Sequence, residues 1–218
     1  MLLKVLYMDQ QQQGLETLQD IKRIMERSSR FISLSGWSGI AAGLCALVGA
    51  WLAWGKLVDY NAAGGDVEYG RGSFRIGALD FELLLIAIGV FVAAITLATL
   101  FTYMRSRKHK LPMWNNTARR LLWNTMIPLL VGGIVILKLI EVRGYLLIAP
   151  MCLIFYGLAL VNGSKYTLGE VKYLGYCQLL LGIINLWQPG HGLLLWALGF
   201  GVLHIIYGVV MWWNYERK

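Results

Sequence analysis

Leu83-Leu84-Leu85-Ile86-Ala87-Ile88-Gly89-Val90-Phe91-Val92-Ala93-Ala94-Ile95-Thr96-Leu97-Ala98-Thr99-Leu100-Phe101-Thr102-Tyr103-Met104 contains no charged side chain. As a helix rising about 1.5 Å per residue it measures about 33 Å. A lipid hydrocarbon core is about 30 Å thick. Five further apolar blocks lie at approximately 34–54, 121–140, 145–162, 173–188 and 192–213. In lipid every backbone N–H and C=O must find its partner within the protein, which leaves helices or closed barrels. The blocks are continuously apolar and do not alternate, so they read as helices. The expected fold is an all-α integral membrane bundle of six transmembrane helices, and the fifth block is the shortest.

Composition agrees with this reading. The chain of 218 residues is 57% apolar and 15% charged, where a soluble domain has roughly a quarter of its residues charged. This excludes an ordinary soluble enzyme, a disordered chain and a disulfide scaffold. Cys45, Cys152 and Cys177 all fall within apolar blocks without paired spacing, so they read as small buried hydrophobes. The sequence has no HExxH, GxSxG, phosphate-binding or calcium-binding motif. His109, His191 and His204 fall at three depths of the expected topology, so neither a shared metal nor a haem is expected, and no cofactor or catalytic residue is assigned.

The net charge is +8, and its distribution sets direction. With the N-terminus in the cytoplasm, fifteen basic residues lie inside: Lys4, Lys22, Arg23, Arg27, Arg30, Arg105, Arg107, Lys108, Lys110, Arg119, Arg120, Lys165, Lys172, Arg217 and Lys218. Four lie outside, Lys56, Arg71, Arg75 and Arg143, with Lys138 within a span. Basic residues gather on the cytoplasmic side, so both termini are expected there. The segment Arg105 to Arg120 is expected to meet anionic lipid at the cytoplasmic face, and no nucleic-acid partner is expected. Trp51, Trp54, Trp114, Trp123, Trp212 and Trp213 stand near span ends, where indole rings favour the headgroup level.

Residues 1–30 form a cytoplasmic N-terminal segment ahead of the transmembrane domain, 31–218. Leu15, Leu18, Ile21 and Met25 recur at helical spacing, and Glu26 precedes Arg30 by four residues, an order that favours an ion pair. An amphipathic helix is expected over 14–30, either lying on the leaflet or pairing with a partner helix. Met8 opens a polar run and is an expected start of translation.

Internal similarity suggests a tandem repeat of helical hairpins. Leu129-Leu130-Val131-Gly132-Gly133-Ile134 resembles Leu179-Leu180-Leu181-Gly182-Ile183-Ile184, and Ile154-Phe155-Tyr156-Gly157-Leu158 resembles Ile205-Ile206-Tyr207-Gly208-Val209. The offsets of 50 and 51 residues make spans three–four and five–six copies, with no convincing third copy in spans one–two.

Helix packing in lipid relies on small residues and interhelical hydrogen bonds. Ser35, Gly39 and Gly43 repeat every four residues. Gly182 shares a face with Gln178 and Asn185, and Gly201 and Gly208 share one with His204. Gln178 lies about 16 Å and His204 about 18 Å below the turn joining their spans, so the two are expected to approach each other. They form either a hydrogen-bonded clamp or a proton- or solute-contacting site. Glu82, Lys138 and Glu141 form a charged cluster at the outer edge, where a Glu82–Lys138 pair competes with separate snorkelling to the headgroups. Pro128 and Pro150 fall within spans and can kink them.

The stretch Ile21-Lys22-Arg23-Ile24-Met25-Glu26-Arg27-Ser28-Ser29-Arg30-Phe31-Ile32-Ser33-Leu34-Ser35-Gly36 resembles the start of a group of small multi-pass bacterial inner-membrane proteins. The resemblance implies a bacterial inner-membrane location and carries no activity or functional residues. The leading expectation is a non-enzymatic structural or regulatory membrane component acting through assembly, as a homo-oligomer or with a membrane-protein partner. A small-solute or ion transporter or channel is second, and an intramembrane enzyme third.

Overall fold

The computed structural model describes residues 35–62, 78–108, 114–188 and 190–217. Among them every regular element is helical: α1 (Gly36–Ala62), α2 (Ala78–Lys108), α3 (Asn116–Glu141), α4 (Ile148–Gly163), α5 (Glu170–Trp187) and α6 (Gly192–Tyr215). Short 3-10 turns extend α4 into a continuous run, Tyr145–Tyr166. The amphipathic helix expected over 14–30 and the start at Met8 lie outside the described residues.

Among the described residues five helices are long and apolar enough to cross a bilayer: α1, α2 from Leu79, α3, the run through α4, and α6. The chain is therefore a helical membrane protein. The remaining helix, α5, has eighteen residues, and Glu170, Lys172, Gln178 and Asn185 dilute its apolarity. By length and composition the count is five, against the six expected.

Local chemistry sets the helix ends. The Asn115 side chain accepts from Ala118 N at 2.7 Å and opens α3, the usual device for satisfying a first-turn N–H. Asp80 in the first turn of α2, and Arg105, Arg107 and Lys108 in its last, oppose the helix dipole. After α3 the chain reverses through Arg143 at φ 56°, and Gly144 N donates to Leu139 O at 2.8 Å. Pro150 sits in the first turn of α4, where its missing N–H costs no intrahelical bond.

Packing depends on the close approach of backbones. α1 lies on α6: a methyl group added to Gly36 would stand 2.5 Å from Gly208 O, and one on Gly43 would stand 2.6 Å from Gly201 O. One on Gly208 would meet Gly36 O and Ile40 N at 2.6 Å. α4 lies on α5 in the same way, with a methyl on Gly157 at 2.9 Å from Gly175 O and 3.0 Å from Leu179 N. The registers match: Gly36 and Ile40 face Gly208 as Gly175 and Leu179 face Gly157. Gly43 meets Ile205 as Gly182 meets Ile154. α2 runs along α1, α3 along α4, and α6 also touches α4 and α5.

Successive helices run in opposite directions. At one end Glu216 Oε1 accepts from Gly36 N at 2.6 Å and from Arg105 Nη1 at 3.0 Å, and Asn162 Nδ2 donates to Asn124 O at 2.8 Å. At the other end Lys56 pairs with Glu82 at 3.0 Å, and Tyr145 OH donates to Asp80 Oδ2 at 3.0 Å. Among the described residues the first end carries Arg105, Arg107, Lys108, Arg119, Arg120, Lys165, Lys172 and Arg217. The second carries Lys56, Lys138 and Arg143. Exposed Trp114, Trp123 and Trp213 belong to the first end, and exposed Trp51, Trp54 and Trp187 to the second.

The backbone contacts give a direct prediction. Gly208→Val in detergent micelles should lose about 1–3 kcal/mol or more of folding free energy, because overpacking cannot relax against backbone atoms. Gly133→Ala, whose added methyl would meet nothing within 4 Å, should leave the denaturation midpoint unchanged.

Candidate functional site: a buried polar seam between three helices

One face of α5 carries Glu170, Leu174, Gln178, Gly182 and Asn185 at helical spacing. That face turns into the bundle, leaving Gln178 0% and Asn185 2% exposed. α6 answers it with a π-helical segment, Ala197–Leu203. A π turn is wider than an α turn and displaces carbonyls from the usual ladder, and such segments are frequent at functional sites. Here the Gly199 carbonyl becomes the centre of a side-chain network. Gln178 Nε2 donates to Gly199 O at 2.8 Å, and His204 Nδ1 lies 3.0 Å from the same oxygen.

A carbonyl oxygen only accepts, so His204 Nδ1 carries the proton in this contact. In the neutral ring Nε2 is then an acceptor, and Tyr156 OH, 2.7 Å away on α4, donates to it. Gln178 and His204 therefore meet through a third group, both bonding the Gly199 carbonyl. Aromatic rings wall the network. Phe200 stacks on His204 at 5.9 Å between centroids and 9° between planes, and Tyr156 lies 4.9 Å from Phe200. Trp196 continues the column 5.0 Å from Phe200.

The seam also contains unmatched polarity. Gln178 Oε1, Asn185 Nδ2 and Glu170 Oε2 are buried without a hydrogen-bond partner. Glu170 Oε1 accepts from Tyr215 OH at 2.8 Å. Each unsatisfied buried polar atom costs about 1–3 kcal/mol. All three lie on the same face of one helix.

The outer-edge residues are arranged differently. Lys138 pairs with Glu141 at 2.9 Å, three residues along α3, and Glu82 pairs with Lys56, so the Glu82–Lys138 pair does not form. The reason is the length of α1, which continues to Ala62 and carries Lys56 as a helical residue beside the start of α2. Both pairs are about half exposed. The packing residues Gly39, Gly43, Gly201 and Gly208 lie at the α1–α6 contact and Gly182 at the α4–α5 contact. Ser35 O accepts from Ser38 N at 3.1 Å as α1 begins. Among the described residues no group of three or more His, Cys, Asp or Glu side chains is placed to hold a metal ion.

Tyr156 was absent from the residues expected to form the site, although it stands within the repeated Tyr-Gly motif. Gly199 and the π segment carry no local signal. No protein-family model, curated protein or solved structure matches the chain.

The network predicts a specific tautomer. Nitrogen-15 NMR of labelled protein should find His204 neutral, with Nδ1 protonated and Nε2 bare, and Tyr156→Phe should shift the Nε2 resonance while leaving Nδ1 bonded. Gln178→Leu should cost about 0.6–2 kcal/mol of stability, the range for one interhelical hydrogen bond in a bilayer.

Proposed function

We propose that this chain is a multi-pass protein of a bacterial inner membrane with both termini cytoplasmic, a non-enzymatic structural or regulatory component that works by helix-mediated assembly. The concentration of Arg and Lys at the end holding Gly36 and Glu216 supports a cytoplasmic position for that end. α5 starts at that end beside Tyr215 and finishes at the other beside Gly192, so its path supports a sixth crossing. The matching contacts of Gly157 in α4 and Gly208 in α6 support α4 and α6 as corresponding members of the repeated hairpins α3–α4 and α5–α6.

The observation that carries the assembly reading is α2. No residue of its most apolar stretch is buried, and Phe81, Leu85, Ile88, Phe91, Val92 and Ile95 are exposed. Gly89, against which an added methyl would meet nothing within 4 Å, stands four residues before Ala93 on the exposed side. Small residues at that spacing let a second helix approach closely. Cysteine cross-linking tests this. In a variant freed of Cys45, Cys152 and Cys177, Ala93→Cys in native membranes should give an oxidised dimer or a partner adduct. A chain that stays monomeric at Ala93→Cys, Val92→Cys and Thr96→Cys alike contradicts the assembly reading.

A second reading, a small-solute or ion transporter, draws on the polar network at Gln178, His204 and Tyr156. Ionisable and hydrogen-bonding groups within spans commonly mark pathways. An assembly protein keeps its function in Gln178→Leu and His204→Leu, whereas a transporter loses flux while remaining folded.

A further inference from the structure

We propose that the seam between α4, α5 and α6 is a proton path, with His204 as its central carrier and Glu170 at its basic-end mouth. The inference rests on the transporter reading and names its cargo. Its geometry is the alignment of polar atoms along α5. Glu170, Gln178 and Asn185 are spaced eight and seven residues apart, which distributes them over about 22 Å of helix. At each level one buried polar atom, Glu170 Oε2, Gln178 Oε1 or Asn185 Nδ2, lacks a protein partner. Buried polar atoms of this kind are where internal water is held.

α4 and α6 both pack against α5. Tyr215 OH bonds Glu170 directly, and Tyr156 OH bonds His204 Nε2. The ionisable group bonded to His204 is thus Tyr156 of α4, while Glu170 of α5 and Tyr215 of α6 bond each other towards the basic end. A metal ion would need several oxygens converging on one point, whereas a proton needs only successive hydrogen bonds.

The transfer balances without any co-reactant. A proton entering at Glu170 passes through water to the Tyr156 oxygen as the proton of Tyr156 moves to His204 Nε2. The imidazolium so formed is held by Gly199 O on one side and Tyr156 on the other. It releases its Nδ1 proton to water at Gln178 Oε1, from which water at Asn185 carries it to the opposite end. One proton enters and one leaves, and transfer of the remaining ring proton from Nε2 to Nδ1 through water restores the starting tautomer.

The test uses the full chain reconstituted in phosphatidylethanolamine–phosphatidylglycerol vesicles with a trapped pH dye, an outward potassium gradient and valinomycin. Wild-type vesicles should acidify at least about tenfold faster than protein-free ones, equivalent to about 1.4 kcal/mol of barrier. Tyr156→Phe and Glu170→Gln, each removing one relay group with little change of shape, should each return most of that difference while thermal unfolding stays near wild type. Acidification at the protein-free rate, or wild-type rates in both variants, overturns the proposal. Parallel sodium-flux and small-solute swelling assays separate the two levels of the claim. A flux lost in His204→Leu but carried by another species overturns the proton as cargo and keeps the transporter reading, whereas no flux of any species removes both.

Discussion

In lipid, one apolar helix gains little by leaving the hydrocarbon for another, so the fold rests on backbones approaching closely enough for dispersion and weak polar contacts to accumulate. Gly36, Gly43, Gly201 and Gly208 provide that approach between α1 and α6, and Gly157, Gly175 and Gly182 between α4 and α5. The same interface geometry is used twice, with registers matching over two turns. Gly201 also belongs to the π segment of α6. The widened turn that presents the Gly199 carbonyl to the polar network is therefore pressed against α1 by the contact that holds α1 in place. Packing and polar chemistry share the same few residues, so a change on α1 at Gly43 reaches His204 through the backbone of α6.

The polar seam has two parts of different character. Around Gly199 the donors are matched: Gln178 and His204 donate to its carbonyl, Tyr156 completes the imidazole, and Phe200 stacks on the ring. Such a network clamps three helices and fixes one tautomer. Along α5 the matching fails at three atoms, Gln178 Oε1 among them, at a cost that a purely structural helix could avoid by substituting Leu for Gln or Asn. A fold that keeps these groups buried bears a destabilising burden on the seam itself, while the glycine contacts elsewhere are tight. The polarity of α5 that brings it below the apolarity of its neighbours is the same polarity that lines the seam.

Much of the architecture was legible in the amino-acid sequence because hydropathy reports the requirement that spans be apolar. The helices contain or closely match the expected blocks, with α1 continuing eight residues past Trp54 to Ala62. That extension explains why Glu82 pairs with Lys56 and not with Lys138. The equal depth of Gln178 and His204 followed from helical rise alone, but their meeting point did not. Whether a turn of α6 is α or π depends on what its carbonyls bond, and the partners of Gly199 come from another helix and from a residue five positions on. Tyr156 reads from sequence as one more aromatic residue in an apolar block. Its role depends on α4 lying against α6, a contact between helices that hydropathy does not specify.

The account stands on the bundle crossing a membrane with its basic end in the cytoplasm. Single cysteines placed at Lys56, Lys108, Lys165 and His191 in a cysteine-free chain, probed in intact cells with a membrane-impermeant maleimide, test this most directly. Positions 56 and 191 should label at once, and positions 108 and 165 only after the membrane is permeabilised. Labelling of 108 or 165 from outside, or a purified chain that stays monodisperse without detergent, contradicts the account.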